Sequence, residues 1–187
     1  MLKDRDALIA YRREAERAYA AQTQKIIVCG GTGCVAGGSL KVYARLQELM
    51  KDAGIHVAVT LEDEPENPVG LKKSGCHGFC EMGPLLRIDP QGWLYTKVHV
   101  EDCEEIVEKT VLHGEYIERL GYHRDGESFH KQEDIPFYSQ QTRLVLEHCG
   151  RIDADSIEEY IAIGGYSALE RALFDMSGDE IVAEITR

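Results

Sequence analysis

Apolar positions near the start of the chain change from helical to strand-like spacing. Residues 3–22 contain neither Gly nor Pro, and Leu8, Tyr11 and Ala15 recur three or four positions apart. This spacing predicts a leading helix within residues 1–22. The apolar run at residues 25–29 predicts a buried strand that leads directly into the first cysteine.

The pattern then repeats with a second helix and a second strand. Ser39 precedes a stretch in which Val42 and Leu46 share one helical face, so we expect Ser39 to cap a helix that runs to about Ala53. Residues 56–61 alternate in the manner of a strand. The order of elements indicates an α/β fold.

Four further features are predicted before residue 120. In chain order they are an acidic connector, a segment that leads to the second cysteine loop, a two-stranded hairpin, and a helix that begins with acidic residues. These cover residues 62–67, 69–74, 85–89 with 93–97 around the turn 90–92, and 101–112. Together they predict one compact layer with a mixed sheet over residues 23–120. Both cysteine loops then lie near strand ends, at one edge of that sheet.

The pattern changes after Leu120. Residues 121–135 are polar, lack periodicity and predict a linker. Residues 136–187 show short helical patterns interrupted by glycines, and segments this short bury little surface alone. The predicted helices cover residues 140–147, 156–163, 167–174 and 177–185. We interpret this region as the start of a larger domain or as a docking arm.

Composition narrows the function classes. The formal net charge of −12 argues against a nucleic-acid-binding protein, which needs a basic face. No apolar run approaches the roughly 20 residues that cross a bilayer, and the N-terminus lacks the layout of a signal peptide. We therefore expect a cytoplasmic protein without direct membrane insertion. Paired cysteines in a reducing compartment indicate metal or redox chemistry.

Four of the six cysteines form two close pairs. Four residues separate Cys29 from Cys34, three separate Cys76 from Cys80, and forty-one lie between the pairs. Four thiolates on two short loops suit a soft metal centre. Structural zinc sites with four cysteines usually have two residues between paired ligands, and so do thiol redox motifs.

The spacing and the surrounding glycines favour an iron–sulfur cluster over zinc. A [2Fe-2S] cluster needs two thiolates on each of its two irons, which two cysteine pairs supply. Glycines flank both pairs and let backbone N–H groups approach the cluster sulfurs. These glycines are Gly30, Gly31, Gly33, Gly37, Gly38, Gly75, Gly78 and Gly83.

Other chemistry-bearing residues carry simpler interpretations. Residues 31–36 match a loose dinucleotide-binding fingerprint, but two cysteines in and beside that loop would serve no purpose for pyrophosphate, so we reject a nucleotide site. His77 is expected to be a polar neighbour of the site, and Cys103 and Cys149 ordinary small side chains. No general acid, general base or nucleophile is assigned, so no complete active site is expected on this chain.

The cysteine pattern on this order of elements resembles the thioredoxin-like [2Fe-2S] ferredoxins, over about residues 24–120. That family includes the small iron–sulfur subunit of respiratory complex I and N-terminal domains of hydrogenase and formate dehydrogenase subunits. The resemblance implies that Cys29, Cys34, Cys76 and Cys80 bind the cluster.

A second resemblance covers residues 136–187. The stretches at 136–150, 157–160 and 164–169 are similar to the entry segment of the NADH-oxidising flavoprotein subunit of complex I and of multimeric [FeFe]-hydrogenases. It implies an NADH-linked complex with other redox subunits as partners. The glycine-rich FMN and NADH loop of that family has no counterpart here, so FMN and NADH are expected only on a missing remainder or a partner.

The sequence thus predicts one-electron transfer through a [2Fe-2S] cluster within an NADH-linked oxidoreductase. Two alternatives stay open. One is a non-redox module that docks a partner subunit, and the other is a free-standing ferredoxin with an unrelated helical tail. A homo-oligomer also stays open.

Overall fold

The structure is a computed structural model that describes residues 4–59 and 68–187. Its internal contacts divide the chain into two compact units: Ala21–Ser156, and the chain up to Ala20 with Ile157–Arg187. The α/β layer that the sequence predicts over residues 23–120 lies in the first of these units. None of the described helices is both long and apolar enough to span a membrane.

A five-stranded mixed sheet forms the centre of the Ala21–Ser156 unit. Its strands are β1 (Gln24–Cys29), β2 (Val57–Ala58), β3 (Val69–Ser74), β4 (Leu86–Asp89) and β5 (Trp93–Tyr95). They lie in the order β2-β3-β1-β4-β5, with β1 and β2 parallel to β3, and with β4 antiparallel to both β1 and β5. The mixed sheet and the hairpin that the sequence predicts are confirmed.

β1 occupies the middle of the sheet because its sequence is apolar on both faces. The side chains from Ile26 to Cys29 are at most 1% exposed. Ile26 and Val28 pack with Leu46 of the following helix, with Leu71 of β3 and with Ile88 of β4. This packing fixes where β1 ends, and Cys29 is its last residue.

Some of the described helices belong to the unit that contains the sheet, and the others form most of the second unit. The helices are α1 (Arg5–Ala21), α2 (Thr32–Ala36), α3 (Ser39–Asp52), α4 (Cys103–Glu105), α5 (Pro136–Ser139), α6 (Ile157–Ala162), α7 (Ser167–Phe174) and α8 (Gly178–Thr186). A 3₁₀ turn, Val100–Asp102, precedes α4, and a π-helix, Ile106–Leu112, follows it. The predicted helix over 101–112 is therefore confirmed, with wider coiling in its second half.

Two predicted helix details are wrong. Ser39 is the first residue of α3 and does not cap it, because Gly38 takes the cap position with φ 97°, a left-handed conformation that suits glycine. Residues 140–147 form turns instead of a helix; the helical residues of this region are Pro136–Ser139, where proline stands at the first helical position.

Three further segments differ from expectation or lie outside the described residues. Residues 69–74 form a full strand in place of an approach segment. The strand predicted at 56–61 comprises only Val57–Ala58, and residues 60–61 fall outside the described part of the chain, as does the connector at 62–67. Within the predicted linker, Tyr122–Arg124 and Glu127–Phe129 pair as a hairpin, β6 and β7.

The second unit joins the N-terminal helix to the C-terminal helices. Arg5 and Arg12 of α1 form ion pairs with Glu170 of α7 at 3.0 and 2.8 Å. Arg5 also binds Asp175 at 2.7 Å. Arg5 therefore reaches two carboxylates in and just after α7, which holds segments from opposite ends of the described chain together.

Candidate metal centre

The four paired cysteines lie at one edge of the central sheet. Cys29 ends β1, and Cys34 lies in α2. Cys76 follows β3 by two residues, and Cys80 begins a 3₁₀ turn, Cys80–Met82. Because β1 and β3 are parallel and Cys29 pairs with Ser74, both cysteine loops leave the sheet from the same edge. The prediction that the two cysteine loops meet at one edge of the sheet is therefore confirmed.

The thiols contact one another pairwise. Cys29 interacts with the side chains of both Cys34 and Cys76, and Cys76 interacts with Cys80. Among residues 4–59 and 68–187, no group of three or more His, Cys, Asp or Glu side chains is arranged around a single metal ion. The four thiols form two adjoining pairs, and a [2Fe-2S] cluster needs two thiolates on each of its two irons.

Burial differs between the two pairs. Cys29 and Cys34 are each 1% exposed, whereas Cys76 and Cys80 are exposed. The first pair closes the interior side of the site, and the second pair faces outward. Outer-sphere electron transfer needs such a short path from the centre to the surface.

Proton sharing within the first pair favours one thiolate. The Cys34 hydrogen bond lowers the pKa of Cys29 from 9.0 to about 6, helped by backbone N–H groups of His77 and Gly31. The same hydrogen bond raises the pKa of Cys34. Burial raises the pKa of Cys76. Metal ligation requires thiolates, and the lowered pKa of Cys29 favours that form at this position.

Backbone donors and missing side chains suit a bulky anionic group at these thiols. The His77 N–H lies 3.5 Å from Cys29 Sγ, and the Gly78 N–H lies 3.3 Å from Cys76 Sγ. A Cβ at Gly31 would stand 2.9 Å from Cys76 Sγ, and one at Gly83 would stand 2.7 Å from Cys34 Sγ. Four thiol donors, N–H groups aimed at sulfur and loops without Cβ atoms fit an iron–sulfur cluster.

His77 is a structural neighbour of the site. It is fully buried, and its Nε2 lies 2.7 Å from Ser74 Oγ. Burial, together with the charges of Arg87 and Arg143, lowers the pKa of His77 to about 3. The ring is therefore neutral and ties the second cysteine loop to β3, as the sequence interpretation of a polar neighbour implies.

An apolar cluster supports the first cysteine pair from behind. Cys29 and Cys34 belong to it together with Phe79 of the second loop. Its other buried members are Leu85, Leu94, Ile135 and Tyr138. The sequence analysis missed Ile135 and Tyr138, because their distance along the chain from the cysteines gave no signal of contact.

The remaining cysteines differ from each other. Cys103 is fully buried, and its thiol lies 3.8 Å from the Val42 carbonyl, within the core beneath α3. Cys149 lies beside the second cysteine loop, since a Cβ at Gly75 would be 3.6 Å from Cys149 Sγ. Cys103 is thus the packing residue that the sequence predicts, whereas Cys149 is a neighbour of the site.

Comparisons with known proteins find a family match and several ferredoxin relatives. Residues 17–111 match the family described as thioredoxin-like [2Fe-2S] ferredoxin. A 2Fe-2S ferredoxin of Clostridium pasteurianum is 40% identical over 52 residues, 28% of this chain and 51% of its own length, so the chain spans about half of that relative. A 2Fe-2S ferredoxin of Aquifex aeolicus is 32% identical over 88 residues, 46% of this chain and 70% of its own length.

One solved structure and one further relative cover the same region. The crystal structure of the wild-type thioredoxin-like [2Fe-2S] ferredoxin from Aquifex aeolicus aligns with 55% of this chain and 99% of its own, at 27% identity and a TM-score of 0.44. A protein of Thermotoga maritima is 32% identical over 87 residues, which are 46% of this chain and 95% of its own length. The family match and the ferredoxin relatives together establish that this chain belongs to the thioredoxin-like [2Fe-2S] ferredoxin family.

Proposed function

We propose that this chain transfers single electrons through a [2Fe-2S] cluster bound by Cys29, Cys34, Cys76 and Cys80. The observation that carries the proposal is the meeting of two thiol pairs at the shared edge of β1 and β3. When bound there, the cluster supplies one-electron oxidation and reduction at iron. Family membership supports this cofactor and this chemistry.

The protein's own residues position the site and control its surroundings. The N–H groups of His77 and Gly78 donate toward sulfur and stabilise negative charge there. Phe79 and the buried first pair exclude water from the interior side. The exposed second pair lies on the side from which a partner centre can approach. No residue of the site is required to move a proton.

Iron and sulfide analysis with EPR of the reduced protein tests the cluster. We expect two irons, two sulfides and one unpaired electron per chain, because a [2Fe-2S] cluster takes up a single electron. Cys29→Ser and Cys76→Ser should lose this signal or change its line shape. Cys103→Ser is the matched control and should keep the signal, because Cys103 contacts the Val42 and His99 carbonyls and no paired cysteine. Stoichiometric zinc without sulfide would contradict the proposal.

We further propose that the chain works in an NADH-linked oxidoreductase, with other redox subunits as its partners and with FMN and NADH bound outside it. The similarity of residues 136–187 to the entry segment of NADH-oxidising flavoprotein subunits supports this setting. Dithionite should reduce the isolated chain whereas NADH alone should not. Reduction by NADH should appear once the purified partner subunits are added.

A free-standing ferredoxin is the second candidate, and the names of the Clostridium and Aquifex relatives favour it. The two candidates differ in how the protein is isolated. Affinity purification from the native host at moderate salt should recover redox subunits in stoichiometric amounts under the first, whereas the second predicts the chain alone.

A further inference from the structure

Residues 135–151, which we call the cover segment, pack on the second cysteine loop. Phe137 stacks on Phe79 with ring centroids 4.5 Å apart and an interplanar angle of 12°. Tyr138 meets the same ring edge-on at 5.7 Å. At the end of the segment, Gly150 approaches His77 so closely that a Cβ would lie 3.0 Å from the imidazole. The cover segment lies outside the residues that match the family.

Arg143 reaches from this segment onto the backbone between Cys76 and Cys80. Its Nη2 donates to the His77 carbonyl at 2.6 Å. A Cβ at Gly78 would stand 2.9 Å from the same nitrogen. The guanidinium carbon lies 5.1 Å from the centre of the Tyr138 ring. These contacts hold a positive charge directly against the second cysteine loop.

Among the described residues, no carboxylate pairs with the charge of Arg143. Its hydrogen bonds go to neutral groups, the His77 carbonyl and Gln141 Oε1, and in the described part of the chain it forms no ion pair. The neighbouring Arg87 differs, because Asp89 binds it at 2.9 Å. Arg87 and Arg143 line one cavity of about 280 Å³ together with Glu147 and other polar residues.

From these contacts we infer that Arg143, through its positive charge, raises the reduction potential of the centre bound by the four paired cysteines. The inference rests on the function proposed above. Reduction by an external one-electron donor adds one negative charge to the site. A fixed positive charge close by stabilises the reduced form more than the oxidised form.

Reduction potentials of the cluster-loaded chain and its variants, measured by EPR-monitored titration, test this role. Arg143→Gln removes the charge and keeps N–H donors, and it should shift the equilibrium toward the oxidised form by about tenfold, or 59 mV for a one-electron couple. Arg143→Lys keeps the charge and should stay close to the wild type. Arg119→Gln is the matched control, because Arg119 pairs with Asp102 and Glu105 and contacts neither cysteine loop.

Gln141→Glu gives a second test if Arg143→Gln does not retain its cluster. This nearly isosteric change places a carboxylate beside the guanidinium, whose Nε lies 3.5 Å from Gln141 Oε1. The potential should again become more negative, because the added carboxylate offsets the charge of Arg143. The change also removes the Gln141 amide that donates to the Phe137 carbonyl at 2.6 Å.

Several outcomes would overturn the inference. One is an unchanged potential in a loaded Arg143→Gln or Gln141→Glu protein. Another is an equal shift in Arg143→Lys, which would mean that packing and not charge is responsible. A third is an equal shift in Arg119→Gln. By contrast, a wild-type chain without iron and sulfide would overturn the proposed function itself.

Discussion

Contact distances explain why particular glycines stand beside the cysteines. Gly31 has φ −63° and ψ 149°, values that any residue adopts, so conformational freedom does not require glycine there. The constraint is steric: a Cβ would lie 2.9 Å from Cys76 Sγ and 3.2 Å from Cys76 Cα. Each of these contacts joins the first cysteine loop to the second.

Gly31→Ala should therefore reduce cluster content. The added methyl group would push the two cysteine loops apart, and overpacking of this kind typically costs about 1–3 kcal/mol. Iron and sulfide per chain, with the melting temperature, would measure the effect. Gly178→Ala is the control, because a Cβ there meets no atom within 4 Å. Full iron content in Gly31→Ala would contradict the steric argument.

Cys103 shows how burial alone changes a thiol. Burial raises its pKa from 9.0 to about 12, so the folded protein keeps the neutral thiol where the unfolded chain would ionise. Its contribution to stability is full below pH 9 and is lost as the pH rises from 9 to 12. Cys103→Ala should thus show a shallower loss of unfolding free energy over this range. Urea titrations at several pH values measure it, and parallel curves for variant and wild type would refute it.

The four paired cysteines could be predicted from spacing alone, whereas their neighbours could not. Two short intervals between cysteines are visible along the chain. Arg143 and Tyr138 lie about sixty residues along the chain from the second cysteine loop that they contact. A single arginine or tyrosine in a polar region does not by itself indicate such a contact. Only the packed unit shows which backbone carbonyl Arg143 reaches.

Among the elements, β3 shows why sequence patterns missed part of the sheet. Its sequence contains a glycine and two consecutive lysines, which are depleted in strands. Lys72 is nevertheless fully buried, and its amine donates to the Val59 carbonyl at 3.2 Å. Pairing with β1 along six residues decides the conformation of this segment, and that pairing is a long-range property.

α2 was missed for a related reason. Glycines at positions 30, 31, 33, 37 and 38 lower helix propensity and favour a loop interpretation. In the structure, Val35 N–H donates to the Gly31 carbonyl at 2.9 Å and Gly37 N–H to the Gly33 carbonyl at 3.0 Å. The short helix brings Cys34 back toward Cys29, which a fully extended loop would not do.

Tyr95 joins β5 to the elements that follow it. Its buried hydroxyl lies 2.8 Å from Thr110 Oγ1 and accepts the Ile117 N–H at 3.0 Å. Tyr95→Phe would leave that N–H without its partner, so we expect a loss of about 1–3 kcal/mol in unfolding free energy. Tyr166→Phe, at a 40% exposed side chain, should change it by less than about 0.5 kcal/mol. Equal urea midpoints for the two variants would count against this role.

At the scale of the molecule, the unit that contains the cysteines extends well beyond the family match. That match ends at residue 111, whereas the compact unit continues to Ser156. β7 leads into residues that bind the sheet, since Leu94 N–H donates to the His130 carbonyl and Gln132 N–H to the Gly92 carbonyl, both at 2.9 Å. Ile135 then enters the apolar cluster behind Cys29 and Cys34.

Truncation separates these parts. A chain of residues 21–156 should keep its cluster, whereas residues 21–120 should lose it or unfold at lower urea concentration. The shorter chain lacks Ile135 and Tyr138, and burial of each such side chain is worth about 1.5–3 kcal/mol. Iron content and urea midpoints of both truncated proteins test the difference. Equal stability would mean that the cover segment merely rests on the surface.

The pairing of Cys29 with Ser74 also sets an order of events during synthesis. Parallel strands cannot be joined by a tight turn, so β1 waits for β3 while the residues between them are made. At about 5–20 residues per second, the ribosome needs several seconds to pass from the first cysteine pair to the second. During that interval the nascent chain presents only two of the four paired cysteines. Iron and sulfide delivered before β3 has paired would therefore find an incomplete set of cysteine ligands. We expect cluster assembly to follow that pairing.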